Sequence, residues 1–284
     1  SIGALTRLAV TMAAYAASGH WPEYWQAMVT ANLVRAPMEA ELLLATMASM
    51  AVRIFCIVGL GCWSVWRWPG QARERQFVIG WLIAALIGLL SVPRFYLHYA
   101  LPLMVPLSLA SARMFGNLRH GRVVFMVFIV FYNAWYDITD RSVSRASIAG
   151  MEAMTAAIGR ESPGGTLFIY DGPSFLYAMA DKRLLSPLAF PSHFNHLAER
   201  NVSHIDTDRE IDRVLATSPD AVITSAGIRN VPVNTYARAR VMAYVTAYCR
   251  KTDSVAIPDG EVKATIELWA HCNETRRPAG TMAQ

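Results

Sequence analysis

From Glu41 to Trp68 the chain runs almost unbroken through apolar side chains, and this run constrains the fold more than any other feature. A helix needs about 20 apolar residues to cross the ~30 Å hydrocarbon core of a bilayer, and this run exceeds that with room for tilt. Arg53 falls in its middle. A charge at that depth costs ~2.5–3.5 kcal/mol on insertion scales, so it must face a bundle interior, water or a partner on another helix. Further apolar runs follow at Phe77–Val92, Leu97–Phe115 and Val123–Tyr136, and the second of these carries Pro102 and Pro106. Ser1–Ser18 is also apolar and lacks the charged start and cleavage site of a signal peptide. It reads as the tail of a membrane helix, and the chain as the C-terminal portion of a longer protein.

The apolar excess belongs to the first half. Overall 54% of residues are hydrophobic and 17% charged, with a net charge of +5. Up to Tyr136 there are 10 Lys and Arg against 4 Asp and Glu, and from Asp137 onward 16 against 17. The basic balance therefore sits with the apolar runs, and no basic patch in the second half suggests nucleic acid. The Arg67–Arg75 connector holds three arginines against Glu74, and the Arg113–Arg122 connector holds three with no acid. By the positive-inside rule both are cytoplasmic. Alternation then puts Gly19–Glu39, Pro93–Tyr99 and everything after Tyr136 outside. Trp21, Tyr24, Trp25, Phe95, Tyr96, Tyr99, Tyr132, Trp135 and Tyr136 fall near that outer interface, as an aromatic belt would.

Gly19–Ala36 is amphipathic and reads as an interfacial helix or an ordinary amphipathic connector. From about Ser142 the composition becomes globular. Helices are expected at Ser144–Gly159, near His193–Arg200, at Asp208–Thr217 with Asp206 or Thr207 as cap, and at Tyr236–Cys249. Strands are expected at Thr166–Tyr170, Ala221–Thr224 and Thr265–Trp269. The whole predicts an α-helical membrane bundle of about five transmembrane helices plus an interfacial helix over residues 1–140. A small extracytoplasmic α/β domain follows over 141–284.

The densest chemistry lies in Pro93-Arg94-Phe95-Tyr96-Leu97-His98-Tyr99. A helix opening at Pro93 would put Arg94 and His98 on one face of its first turn, beside free backbone N–H groups and the positive end of the helix dipole. That is an anion site at a membrane surface. The plainer reading is that Arg94 snorkels to lipid headgroups while the aromatics form a belt. Arg53 has a similar pair of readings, a transport path or a structural pairing with another helix.

Elsewhere no GxGxxG, P-loop, HExxH or CxxC motif occurs, so neither a nucleotide nor another cofactor is implied. Cys56 and Cys62 lie within a span. Cys249 and Cys272 lie in the part placed outside, where a disulfide is permitted, although sequence does not show that they meet. His193, His196 and His204 lack the acid or cysteine that would complete a metal set. Asp171 follows a strand, where an active-site acid can sit, but a turn-forming Asp before Gly-Pro explains it more cheaply. Asn201-Val-Ser203 and Asn273-Glu-Thr275 match the glycosylation triplet.

The stretch PRFYLHYALPLMVPLSLA, with Arg94, Phe95, His98 and Tyr99, the interfacial segment Ala14–Arg35, and TLFIYDGPSFLYAMADKRLLSPLAFPSHF resemble bacterial polytopic glycosyltransferases of the GT-C fold. The similar groups are the protein O-mannosyltransferases and the lipid A aminoarabinose transferases. The resemblance implies transfer of a sugar from a polyprenyl-phosphate-linked donor to a periplasmic lipid, glycan or protein acceptor, in the bacterial inner membrane. Arg94, His98, Tyr96 and Tyr99 would then bind the lipid phosphate or sugar, with Trp21, Glu23, Tyr24 and Arg53 as weaker candidates. The family's catalytic carboxylate, on a first outer loop, has no counterpart here and is expected upstream of Ser1. Competing classes are a transporter or membrane scaffold presenting an outer α/β domain, and a ligase acting on undecaprenyl-pyrophosphate-linked glycans.

Overall fold

The structure is a computed structural model that describes residues 2–34, 40–67, 70–91, 97–117, 119–136, 140–226, 232–259 and 262–272. Its elements run α1 (Ile2–Ala17), α2 (Trp21–Trp25), a π-helical turn at Gln26–Thr30, α3 (Ala31–Val34), α4 (Ala40–Trp66) and α5 (Ala72–Leu90). A 3-10 turn at Leu97–Ala100 leads into α6 (Leu101–Asn117), and α7 (Gly121–Tyr136) and α8 (Ser142–Glu161) follow. The remainder is β1 (Leu167–Ile169), α9 (Leu176–Met179), α10 (Ser192–Asn195), α11 (Thr207–Ala216), β2 (Ala221–Ala226), α12 (Thr235–Tyr248), β3 (Arg250–Asp259) and β4 (Val262–Ala270). The chain divides into two compact units, Pro37–Asp140 on the one hand and Ser1–Ala36 with Arg141–Gln284 on the other.

The expected bundle of about five transmembrane helices is not what forms. Among the described residues one helix, α4, is long and apolar enough to cross a membrane. The others fall short for separate reasons. α5 opens on Arg73, Glu74 and Arg75, which removes its first turn from any apolar span. α6 and α7 have 17 and 16 residues, which at ~1.5 Å per residue give roughly 24–26 Å against a ~30 Å core. The apolar run from Leu97 looked longer because its first four residues form the 3-10 turn rather than α-helix. α1 has 16 residues, includes Arg7, and belongs to the unit that holds the sheet.

In the unit Pro37–Asp140, Met50, Leu89, Ala100, Leu103 and Leu107 form the buried cluster. α4 and α6 run parallel: Gly61 sits against Leu107, and three residues further along each helix the Ser64 hydroxyl donates to the Ala110 carbonyl at 2.5 Å. Small residues allow this approach, as they do where helices pack in lipid. The Tyr132 hydroxyl of α7 donates to the Arg53 carbonyl at 3.1 Å, so α7 also leans on α4.

The other unit is an α/β sandwich. Its sheet has the order β1-β2-β4-β3, with β1 and β2 parallel and the remaining pairs antiparallel. Side chains alternate across a strand, so Leu167, Ile169, Ala221, Ile223, Ile266 and Leu268 face Met154 and Ile158 of α8. Phe168, Tyr170 and Val222 face Ile211 and Val214 of α11 and Val241 and Val245 of α12. Both faces of β1 and β2 are therefore covered, which is why these strands read as continuous apolar runs. The Asp206 carboxylate caps α11 by accepting from the Arg209 N–H at 3.0 Å, and the Asn234 side chain caps α12 by accepting from Ala237 at 3.3 Å. A disulfide joins Cys249, after α12, to Cys272, after β4.

Candidate functional site

Of the residues expected to grip a lipid phosphate, Arg94 and Tyr96 lie outside the described residues. His98 and Tyr99 sit in the 3-10 turn, so His98 precedes α6 rather than occupying its first turn, as the expected helix from Pro93 required. The His98 imidazole is exposed and meets the Tyr99 ring edge-on, with centroids 4.5 Å apart. Tyr99 in turn packs against the cluster formed by Met50, Leu89 and Leu103. Arg53 is exposed on α4 rather than turned into the unit, and it makes no ion pair with a described residue.

Trp21, Glu23 and Tyr24 belong to the other unit. The Trp21 and Tyr24 rings stack at 5.7 Å, and Tyr15 and Trp25 close on the same group at 4.7 and 5.8 Å. These aromatics pack on one another, and the segment is fastened to the sandwich by the Gln26 amide, which donates to the Val202 carbonyl at 3.1 Å. Exposed Glu23 has His20 3.9 Å away.

The sandwich holds a cavity of about 500 Å3 that the sequence reading did not assemble. Its floor lies where β1 ends, in the turn Asp171-Gly172-Pro173-Ser174. Asp171 is 2% exposed and its carboxylate accepts from the Ser225 hydroxyl at 2.6 Å. The backbone beneath it is fixed, because the Tyr170 and Asp171 N–H groups both donate to the Ile223 carbonyl. Ile169 donates its N–H to the Tyr177 hydroxyl at 2.8 Å, and burial pushes that phenol up to about 12.

Pro191–His196 forms a second wall. Asn195 is 3% exposed, and its Nδ2 donates to the Tyr170 carbonyl at 3.1 Å. That bond fixes which end of the amide is nitrogen, and Asn195 Oδ1 is buried with no hydrogen bond among the described residues. The wall is pinned from behind by Asn234, whose N–H donates to the Asn195 carbonyl at 2.8 Å and whose side chain donates to that of Phe194 at 3.1 Å. Ser147 and Met151 of α8, Ile257 and Pro258 of β3, and Ala264 and Ile266 of β4 close the remaining side, where the Ser147 hydroxyl donates to the Pro258 carbonyl. Phe175 and Phe190 line the cavity while staying 57% and 62% exposed.

Crevices beyond the carboxyl ends of parallel strands are where open α/β sheets take ligands, and this one joins a buried acid, a buried amide, an imidazole and two aromatic rings. Asp171 was legible as an acid after a strand, with a turn-forming role the cheaper reading. Asn195 ends the short helix α10, and His196, Phe175 and Phe190 stand outside helices and strands. The signal that could have found the two phenylalanines is an aromatic close to proline that fits neither a helical nor a strand period. Among the described residues no three His, Cys, Asp or Glu gather as metal ligands would. No family model, curated protein or solved structure matches this chain.

Proposed function

We propose that the protein is a membrane glycosyltransferase that moves a sugar from a polyprenyl-phosphate-linked donor to a lipid, glycan or protein acceptor at the outer face of a bacterial inner membrane. The observation that carries the reading is the 3-10 turn ahead of α6. It presents an exposed His98 beside an anchored Tyr99, shortly after Arg94 and Tyr96 in sequence and leading into a helix packed against membrane-length α4. The disulfide between Cys249 and Cys272 supports an oxidising, extracytoplasmic setting for the sandwich.

In such a transfer the acceptor oxygen bonds to the anomeric carbon and loses its proton to a base. The bond from that carbon to the phosphate oxygen breaks, and the lipid phosphate leaves with the electron pair. Donors fixed at the phosphate stabilise this growing charge more than the ground state. Arg94 supplies charge-assisted hydrogen bonds and His98 a second donor. The test is transfer in membranes containing the protein and a purified polyprenyl-phosphate sugar. Arg94→Ala should lower the rate by about 100-fold or more and His98→Ala by about tenfold, with membrane insertion unchanged. A rate unaffected by Arg94→Ala removes the proposed grip.

A further inference from the structure

We infer that the cavity between the end of β1, the Pro191–His196 wall and α8 is a binding site for a neutral sugar ring. Its size falls within the ~300–1,000 Å3 of small-ligand sites. Its chemistry excludes the commoner alternatives one at a time. No Lys or Arg lines it, His196 supplies its one imidazole, and a buried carboxylate, Asp171, sits at its floor, so a phosphate or carboxylate would meet repulsion without a permanent countercharge. A purely apolar ligand would give no donor to Asn195 Oδ1, which the fold buries without one, and would cover the Ser174 and Ser192 hydroxyls without replacing their water.

The ligand that satisfies both halves of the lining has hydroxyl donors on its edge and C–H groups on its faces, as a pyranose does. Its faces would lie against Phe175 and Phe190, whose exposed rings have no other evident work in the sandwich. Its hydroxyls would donate to Asn195 Oδ1 and Asp171, and exchange hydrogen bonds with Ser174 and Ser192. The site needs neither the lipid donor nor Arg94, so it stands whether or not the chain catalyses transfer.

The experiment is a titration of the full chain with a panel of methyl hexopyranosides and, as a cationic apolar-ring control, cyclohexylammonium. Binding is followed by NMR of labelled Phe and Asn side chains in a detergent without a sugar headgroup, with no lipid donor present. At least one sugar should bind saturably, shifting the Asn195 amide. Phe175→Ala and Phe190→Ala should each weaken binding about tenfold with the melting temperature unchanged, since both rings are mostly exposed. Asp171→Asn and Asn195→Ala should weaken it further. Failure of every sugar to bind the folded protein overturns the inference, as does tighter binding of cyclohexylammonium. Binding that ignores both phenylalanine variants places the sugar elsewhere and overturns it equally. Loss of transfer in Arg94→Ala with sugar binding intact would separate this site from the proposed reaction.

Discussion

The two units differ in how much of their apolar surface they bury. In the sandwich Phe168, Tyr170, Ile211, Ile223 and Leu268 are all but inaccessible, and the charged side chains ring the outside in pairs such as Arg240 with Asp212 and Lys251 with Glu267. In the unit Pro37–Asp140 a small cluster is buried, α4 meets α6 through Gly61 against Leu107 and Ser64 against Ala110, and Phe55, Trp66, Phe77, Ile87, Val127 and Val130 face outward. Water drives large apolar groups inward, whereas helices in lipid gain little by hiding them and pack through small residues and interhelical hydrogen bonds. An exposed apolar surface of that extent marks a membrane or a partner, and α4 has the length a membrane requires. The same alphabet thus writes an interior in one unit and an exterior in the other.

The largest expected difference comes from truncating one phenylalanine in each unit. Phe168 is buried edge-on to Phe194, with ring centroids 5.4 Å apart. Phe168→Ala should cost the sandwich ~3–5 kcal/mol. Phe55→Ala, on the outer face of α4, should stay within about 0.5 kcal/mol in detergent. Denaturant titration of the purified protein, read separately for the two units, checks both. Equal costs would mean that Phe55 is packed against protein, and the contrast between the units would break.

What could be read in advance follows from the same contrast. α11 was legible because Asp206 caps it and Asp208 and Glu210 fill its first turn, and β2 because both its faces are covered. β3 was not, since Arg250, Lys251, Thr252, Asp253 and Ser254 at the sheet edge carry no apolar alternation. Apolar runs alone misjudged the first half: hydropathy does not reveal that Leu97–Ala100 is a 3-10 turn or that the helix carrying Phe77 ends at Leu90. The cavity was opaque because Asp171 and Asn195 meet only through the path of the chain across the sheet. Their separate anchors, the Ser225 hydroxyl for Asp171 and the Tyr170 carbonyl for Asn195, leave no mark in local spacing.

A smaller effect probes how dry the sandwich interior is. Burial raises the Tyr177 phenol from its ordinary value of about 10 to about 12, although the Ile169 N–H pulls it back down. The unfolded chain therefore releases that proton first as pH rises. Its contribution to stability is complete below pH 10 and disappears between 10 and 12, amounting to ~2–3 kcal/mol. Unfolding followed from pH 8 to 12 should show this loss in the wild type and not in Tyr177→Phe. At neutral pH that variant should be ~1–3 kcal/mol less stable, because the Ile169 N–H loses its acceptor. A parallel pH dependence in both proteins would mean that water reaches the hydroxyl.

The finest test lies within one helix, at two glycines two positions apart. A methyl group on Gly59 would meet nothing within 4 Å, so Gly59→Ala should gain the ~0.5–1 kcal/mol by which alanine favours a helix interior. A Cβ on Gly61 would come within 2.6 Å of Leu107 Cδ2. That methyl is the end of a side chain, but Leu107 is itself buried in the cluster with Met50 and Leu103, so it cannot swing aside without disturbing them. Gly61→Ala should therefore lose stability by about 1 kcal/mol despite the same gain in helix propensity. Thermal unfolding of the two variants in detergent gives the sign directly. Melting temperatures that rise together would mean that α4 and α6 do not approach closely at Gly61.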